Sequence, residues 1–423
     1  MRLLRDYESR NVLFTEPDGS WPIVWERAQG VHVLDANGEK YLDLTAAFGV
    51  AAAGHANPRV VRAGQKQMAK LLHAMGDVHP HALKAQLARE LSRLTFERWI
   101  KRKHGKVIFS NSGFEAVESA LKTALLATGK HGVIAFEGGY HGLGYGALNA
   151  THREHFRSPF RSQLREFGHF AKFPKAKAEL PALEKNLRQI FRGAKIGAIL
   201  VEPVQARGGI NVPPKEFLPL LRRLCDAHGA LLIADEIYTG FGRTGKWFAC
   251  EHSRTVPDLI CLGKALTGGF PLSACVGRAD LMDVAWPAST GEAIHTSTFL
   301  GHPVGCAMAL AQIAEIRRLK LAERSAAIGN FLLADLSKIQ NPKSKVVCAA
   351  RGIGLMAGVE LTLPNGQPAT QLALVIIKKL LHRGYIFLPE GEHANVISFT
   401  PPLTISKTQL TQAVRALQKV LAE

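Results

Sequence analysis

Between about residues 105 and 280, short β-branched and apolar runs alternate with amphipathic stretches, and this alternation constrains the chain more than any other feature of its sequence. The strand candidates are Val107–Phe109, Val133–Phe136, Ile196–Val201, Ala230–Ala234, Leu259–Leu262 and Ala274–Val276. Among the intervening stretches, Glu115 to Leu126 places Val117, Ala120, Leu121, Ala124 and Leu125 on one helical face. Another, Lys215 to His228, follows Pro213-Pro214 and stops at Gly229, the expected punctuation of a helix. Apolar strands separated by helices predict an α/β fold with a mostly parallel sheet covered on both faces.

Beyond Gly301 the pattern changes. Helices are expected over Val304–Leu319 and Ala322–Leu336, strands near Leu355–Leu361, Tyr385–Leu388 and Val396–Phe399, and a last helix from Ser406 onward. Near the other end, Gly30 to Leu44 reads as a hairpin turning at Asn37-Gly38. The expected division is an N-terminal segment, 1–50, joining a small domain; a large domain, 51–300; and a C-terminal small α+β domain, 301–423.

Three of the predicted strand ends carry polar or small residues where a parallel sheet opens its binding crevice. Asn111-Ser112-Gly113-Phe114-Glu115 follows the first strand and opens a helix. Its amides suit an anion, while Ser112 and Glu115 also make a capping box, and the two readings stand side by side. Asp235 and Glu236 follow Ala230–Ala234, where a carboxylate could bind a metal, activate water or pair with a cationic ring nitrogen. Lys264, between Gly263 and Ala265, ends an apolar strand and suits a Schiff-base lysine whose pKa falls on desolvation. Phosphate cradle, carboxylate and lysine together point to pyridoxal 5′-phosphate, whose ring takes up the electrons of a substrate carbanion.

With these residues in place, the chain resembles the class III pyridoxal-phosphate aminotransferases, the ornithine, acetylornithine, 4-aminobutyrate and ω-aminotransferase group. The resemblance runs from about Gly30 to the final helix. It rests on Leu231-Leu-Ile-Ala-Asp-Glu-Ile-Tyr-Thr-Gly-Phe-Gly-Arg-Thr-Gly245, then Pro257-Asp-Leu-Ile-Cys-Leu-Gly-Lys264 and Thr298-Phe-Leu-Gly-His-Pro303. It implies fold type I, the aspartate-aminotransferase-like architecture with a mostly parallel seven-stranded-type sheet. The implied reaction moves an amino group from an amine or (ω-)amino acid to a keto acid, through a Lys264 Schiff base and a pyridoxamine form.

By the same resemblance, Lys264 also moves the proton, Asp235 pairs with the pyridine nitrogen, and Ile237 and Tyr140 pack on the two ring faces. The amides of Gly113 and Phe114, beside Ser112, hold the phosphate. His141 and Glu202 belong to the cofactor surroundings, and Tyr238 lies near the cofactor's 3-hydroxyl. Thr298 reaches the phosphate of the neighbouring subunit, which implies a homodimer.

Two departures bear on substrate. Arg207, in Ala206-Arg-Gly-Gly209, stands where relatives often carry an acid, and Ser398, in Ile397-Ser-Phe-Thr-Pro-Pro-Leu403, where they often carry an arginine. Either Arg207 supplies the contact to a substrate carboxylate, or it points to solvent while Ser398 leaves room for a larger substrate. Racemases, epimerases and aminomutases of the same fold are the alternative, since they share the cofactor-binding residues.

Other classes fit less well. The formal charge of +18 draws anions, and the basic text from Arg153 to Lys177 is expected to form a solvated face, because no nucleic-acid recognition motif accompanies it. Gly142-x-Gly144 is a weak dinucleotide fingerprint, His79-Pro-His81 a weak metal pair, and no G-x-S-x-G occurs. No metal is expected. The six cysteines form no C-x-x-C and read as reduced thiols of a cytoplasmic protein. Asp6 and Glu8 near the start argue against a targeting leader, and no apolar run suits a membrane span. The expected partners are therefore small-molecule amines and keto acids, without nucleic acid or membrane.

Overall fold

A computed structural model describes residues 2–11, 16, 21–339 and 346–423. Fifteen strands are found among them, in three sheets. β1 (Trp25–Gln29), β2 (His32–Asp35) and β3 (Lys40–Asp43) form an antiparallel meander whose last strand pairs in parallel with β13 (Tyr385–Ile386). The predicted hairpin is β2–β3, and Gly38 takes a φ of +83° in its turn. The N-terminal meander is thus stitched to the far end of the chain.

The large sheet has seven strands. In chain order they are β4 (Gly105–Ser110), β5 (Gly132–Phe136), β6 (Gly168–Ala171), β7 (Ile196–Val201), β8 (Leu231–Asp235), β9 (Leu259–Leu262) and β10 (Ser273–Arg278). In space they run β4-β10-β9-β8-β7-β5-β6. All neighbours are parallel except β10, which is antiparallel to both β4 and β9. Every residue of β5, β7 and β9 is buried, as expected of strands covered on two faces. The predicted helix after β4 spans Gly113–Thr128 and stops at Gly129 in the left-handed conformation.

The third sheet, β11-β12-β15-β14, is built from Val347–Ile353, Met356–Thr362, Val396–Phe399 and Leu388–Glu390 and is wholly antiparallel. The helix Leu321–Leu336 packs on β11 and β12, and the last helix, Lys407–Ala422, packs on that helix and on Thr370–His382. Two expectations change here. The run Tyr385–Leu388 is not one strand, because the chain leaves the N-terminal sheet after Ile386 and enters the third sheet at Leu388. The basic stretch from Arg153 is not wholly solvated either. Arg157 is buried, its guanidinium carbon 4.9 Å from the Phe170 ring centre, so its charge rests on an aromatic face.

One close approach yields a stability prediction. A Cβ on Gly329, inside the helix Leu321–Leu336, would lie 2.1 Å from the carbonyl oxygen of Gly354. Gly329→Ala should therefore destabilise the protein by about 1–3 kcal/mol, the usual range for overpacking. A lowered midpoint in denaturant unfolding is the expected result, and an unchanged midpoint would show that the two segments separate freely.

Candidate active site

The parallel strands and β4 all end at one edge of the large sheet, so the residues that follow them converge. Asp235 is the last residue of β8, Glu202 follows β7, Lys264 lies two residues past β9, and Gly113 opens the helix after β4. Together with Phe114, Tyr140, His141, Ala206, Arg207, Ile237 and Tyr238 they line a cavity of about 350 Å³. This lies within the range of small-molecule sites.

At the helix start, Glu115 Oε2 accepts from the amides of Asn111 and Ser112 at 3.1 and 2.7 Å and from the Ser112 hydroxyl at 2.8 Å. Capping therefore consumes the donors that precede the helix. Among the described residues no partner is found for the Gly113 and Phe114 amides, which head a helix of 16 residues. The two readings of this motif are thus compatible, since the cap and the free amides use different groups. Gly142 completes the corner at φ +110°, where a Cβ would stand 2.3 Å from Cβ of Phe114. Only glycine allows that approach.

The two acids after β8 part company. Glu236 turns inward, accepting from the Thr239 hydroxyl and from the amides of Ala249 and Cys250 at 2.9 and 2.8 Å, and burial pushes its pKa up to about 7. It ties down the loop that carries the Gly-Arg-Thr-Gly signature. Arg243 in that loop is buried and donates to the carbonyls of Leu355 and Pro401 at 2.9 and 2.5 Å. Asp235 faces the cavity instead. Its Oδ2 lies 2.7 Å from His141 Nδ1, and its Oδ1 accepts from the Ile237 amide at 3.1 Å. With Asp235 ionised, Nδ1 carries the shared proton, so His141 orients the carboxylate, a role its sequence position had not disclosed.

Lys264 sits at φ +25°, a conformation that L-residues avoid and that functional sites retain. Its Nζ lies 4.5 Å from the Tyr238 ring centre. Burial lowers its pKa, Asp235, Glu202 and Glu390 oppose that shift, and Arg207 adds to it. A depressed ammonium yields the neutral amine more readily, which is the nucleophilic form. The Tyr238 hydroxyl is engaged by Thr400 Oγ1 at 3.2 Å, so the ring face is what this residue offers to Lys264. Glu202 is buried, with its pKa raised by desolvation, and accepts from the amides of Tyr140 and Ala206 at 3.0 and 3.1 Å.

The two departure residues separate. Arg207 is at the cavity wall, 29% exposed, with its guanidinium carbon 5.8 Å from the Tyr140 ring centre and Nη1 3.5 Å from Oε2 of Glu390. Ser398 is buried within β15, donates to the Leu388 carbonyl at 3.0 Å and does not line the cavity. Thr298 is exposed and likewise outside the lining. Sequence reasoning missed Glu390, the acidic partner of Arg207. Glu390 follows the apolar run Ile386-Phe-Leu388 but precedes Glu392, His393 and Asn395, so nothing local singles it out.

Free amides at a helix start, a buried carboxylate fixed by a histidine, and a lysine of depressed pKa fit pyridoxal 5′-phosphate at its phosphate, ring nitrogen and aldehyde ends. The comparisons agree. The sequence model of the family described as aminotransferase class-III matches residues 14–421. The chain is 37% identical to the putrescine aminotransferase of Pectobacterium atrosepticum, over 95% of this chain and 83% of that one. It is 38% identical to the 5-aminovalerate aminotransferase of Pseudomonas aeruginosa, over 95% and 94%. Among solved structures it is similar to a transaminase from the marine bacterium Virgibacillus, with a TM-score of 0.91 and 27% identity over 99% and 97% of the two chains. It is also similar to a PLP-bound amine transaminase from an uncultivated Pseudomonas species, with a TM-score of 0.89 and 28% identity over 98% of each.

Proposed function

From the premise that this chain belongs to the class III aminotransferases and carries out pyridoxal-phosphate-dependent transamination, we propose the roles of its individual residues and the class of its substrates. When bound, the cofactor supplies an electron sink for the carbanion formed at the substrate carbon. Around it, the free amides of Gly113 and Phe114, with Ser112 beside them, hold the phosphate. Ile237 and Tyr140 enclose the ring, Asp235 stabilises a protonated ring nitrogen, and His141 and Glu202 fix the surroundings of that carboxylate. Tyr238 packs beside Lys264. The Lys264 amine would hold the cofactor's aldehyde end and would move the proton at the substrate carbon.

The observation that carries this reading is the convergence of Lys264, Asp235 and the unpaired helix-start amides on one cavity. An amine or ω-amino acid is the proposed donor and a keto acid the acceptor, with Arg207 taking a substrate carboxylate. Its place in the cavity wall favours this over a solvent-facing arginine. The named relatives are aminotransferases, among them enzymes for putrescine and 5-aminovalerate, and nothing favours a racemase or mutase.

The working form is proposed to be a homodimer in which Thr298 serves the neighbouring site. Its exposed position outside its own cavity supports that. A cytoplasmic location is proposed from six free cysteines, five of them buried. No helix among the described residues is long and apolar enough to cross a membrane. The separate sheets support a large unit over 51–300 and a smaller one made from 1–50 and 301–423.

The test is to titrate the cofactor-loaded protein with single amines in the absence of keto acid. Conversion of the lysine-bound cofactor spectrum to that of the pyridoxamine form is expected. Spectral perturbation without that conversion would favour the racemase or mutase reading. Arg207→Ala should raise KM for the carboxylate-bearing partner by about tenfold, the loss of one charge-assisted contact. An unchanged KM would return Arg207 to a solvent role.

A further inference from the structure

Tyr238 sets its ring face toward Lys264 Nζ and commits its hydroxyl to a line of buried hydrogen bonds that reaches the N-terminal segment. The next member is Thr400, buried just past β15. Its amide donates to the Leu44 carbonyl at 2.8 Å, and its hydroxyl to the Thr45 carbonyl at 3.4 Å. A threonine hydroxyl carries one proton. With that proton given to Thr45, the 3.2 Å bond between Tyr238 and Thr400 is donated by the phenol. Burial raises the phenol to about 12, which keeps its proton in place.

The far end of the line is anchored. Asp43 is fully buried, and its Oδ1 accepts from the amide and hydroxyl of Thr45 at 2.8 and 2.6 Å. Its Oδ2 accepts from the Ala47 amide at 3.2 Å and lies 2.7 Å from His55 Nε2. These bonds pin a turn in which Ala46 and Ala47 sit at φ +49° and Phe48 at +61°, ahead of Gly49 at +81°. Three successive side-chain-bearing residues in the left-handed region are costly, and such strain persists where the position it secures is used. Here it brings bare backbone against the tyrosine, since a Cβ on Gly49 would stand 3.0 Å from Cε1 of Tyr238. The ring is thus walled at its edge and moored at its hydroxyl. The charges that bear on Nζ are Asp235 at the end of β8, Glu202 after β7, Glu390 on β14 and Arg207 in the cavity wall. Among the described residues none of them is hydrogen-bonded to Nζ, which leaves the ring as its direct neighbour.

We propose that Thr400 is a positioning residue of the reaction: its hydroxyl, moored on the Thr45 carbonyl, holds the Tyr238 ring face to the Lys264 nitrogen and so favours the cationic form of that nitrogen. This rests on the reading of Lys264 as the lysine that carries the cofactor. The electron-rich face of the ring attracts a cation and gives nothing to a neutral nitrogen.

The test follows the visible band of the lysine-bound cofactor through a pH titration of the loaded protein. Thr400→Val keeps the shape and removes the hydroxyl. It should lower the pH midpoint of the band by about one unit, roughly what a desolvated cation gains from an aromatic face. Thr400→Ser should restore the midpoint, and Tyr238→Leu should lower it as Thr400→Val does. In a Tyr238→Phe background Thr400→Val should have no further effect, because the bond it breaks is already gone. An unmoved midpoint in Thr400→Val, or an equal shift in the Tyr238→Phe background, overturns the positioning role. An unmoved midpoint in Tyr238→Leu overturns the role of the ring. A loaded wild-type protein with no such band overturns the proposal together with the assignment of Lys264.

Discussion

Lys264→Ala should yield a folded protein that still takes up pyridoxal 5′-phosphate at the helix-start amides but turns over about 10⁴-fold more slowly, because in the proposed reading one side chain is both the covalent anchor and the proton carrier. The depressed ammonium argues for this role over that of a structural cation. A lysine kept for stability would gain from full pairing, whereas Nζ here rests on the Tyr238 ring and is held down by burial. The variant should lack the visible band of the lysine-bound cofactor, and added methylamine should restore part of the rate by replacing the missing base. Residual turnover within a hundredfold of wild type, with cofactor bound, would place the proton transfer on another group.

Asp235→Asn is the second large effect. Asparagine keeps the shape and can still accept from the Ile237 amide, but it removes the charge that favours a protonated ring nitrogen. The preorganised site around it then works against a neutral ring. Turnover should fall by about 10²–10³, the usual cost of losing one electrostatic contact aimed at developing charge. His141 predicts how the loss divides. Its ring stays beside position 235, so cofactor affinity should fall less than kcat. A loss confined to affinity, with kcat preserved in saturating cofactor, would make Asp235 a mooring point and not an electronic partner.

Much of this site was legible in the chain because its residues stand at strand ends, and apolar runs such as Ile196–Val201 and Leu259–Leu262 mark strand ends sharply. Gly113, Asp235 and Lys264 could therefore be placed on one edge before any coordinates. The edge strand β6 escaped notice because Gly168-His-Phe-Ala171 is short and only half-buried, and carries neither alternation nor a continuous apolar run. β11 was lost for a similar reason, since Val347–Ile353 is rich in small residues and none of it is fully buried.

In the site, what stayed hidden were partners distant in sequence. Asp235 and Glu236 look alike in sequence, and only tertiary contacts send one to the cavity and the other to the Ala249 and Cys250 amides. Glu390 hid in text that reads as a turn, and the chain gives no local sign that Pro389-Glu-Gly391 folds onto Arg207.

The reversed direction of β10 has a bearing on how such an enzyme can change. Because β10 runs against β9, the chain leaves the sheet at Leu262, carries Lys264 across the cavity edge and re-enters at the same edge through Ser273, whose hydroxyl is bonded to the Ser112 carbonyl at 2.6 Å. The reactive amine is thus lashed at both ends to the rigid scaffold, with no helical crossover to transmit drift. Glu390 belongs to a different sheet, and it meets Arg207 where that sheet turns at Gly391. Substitutions that retune the guest list can therefore accumulate around that turn while the chemistry at Lys264 holds its alignment, so a lineage built on this frame is free to change its diet without relearning its trade.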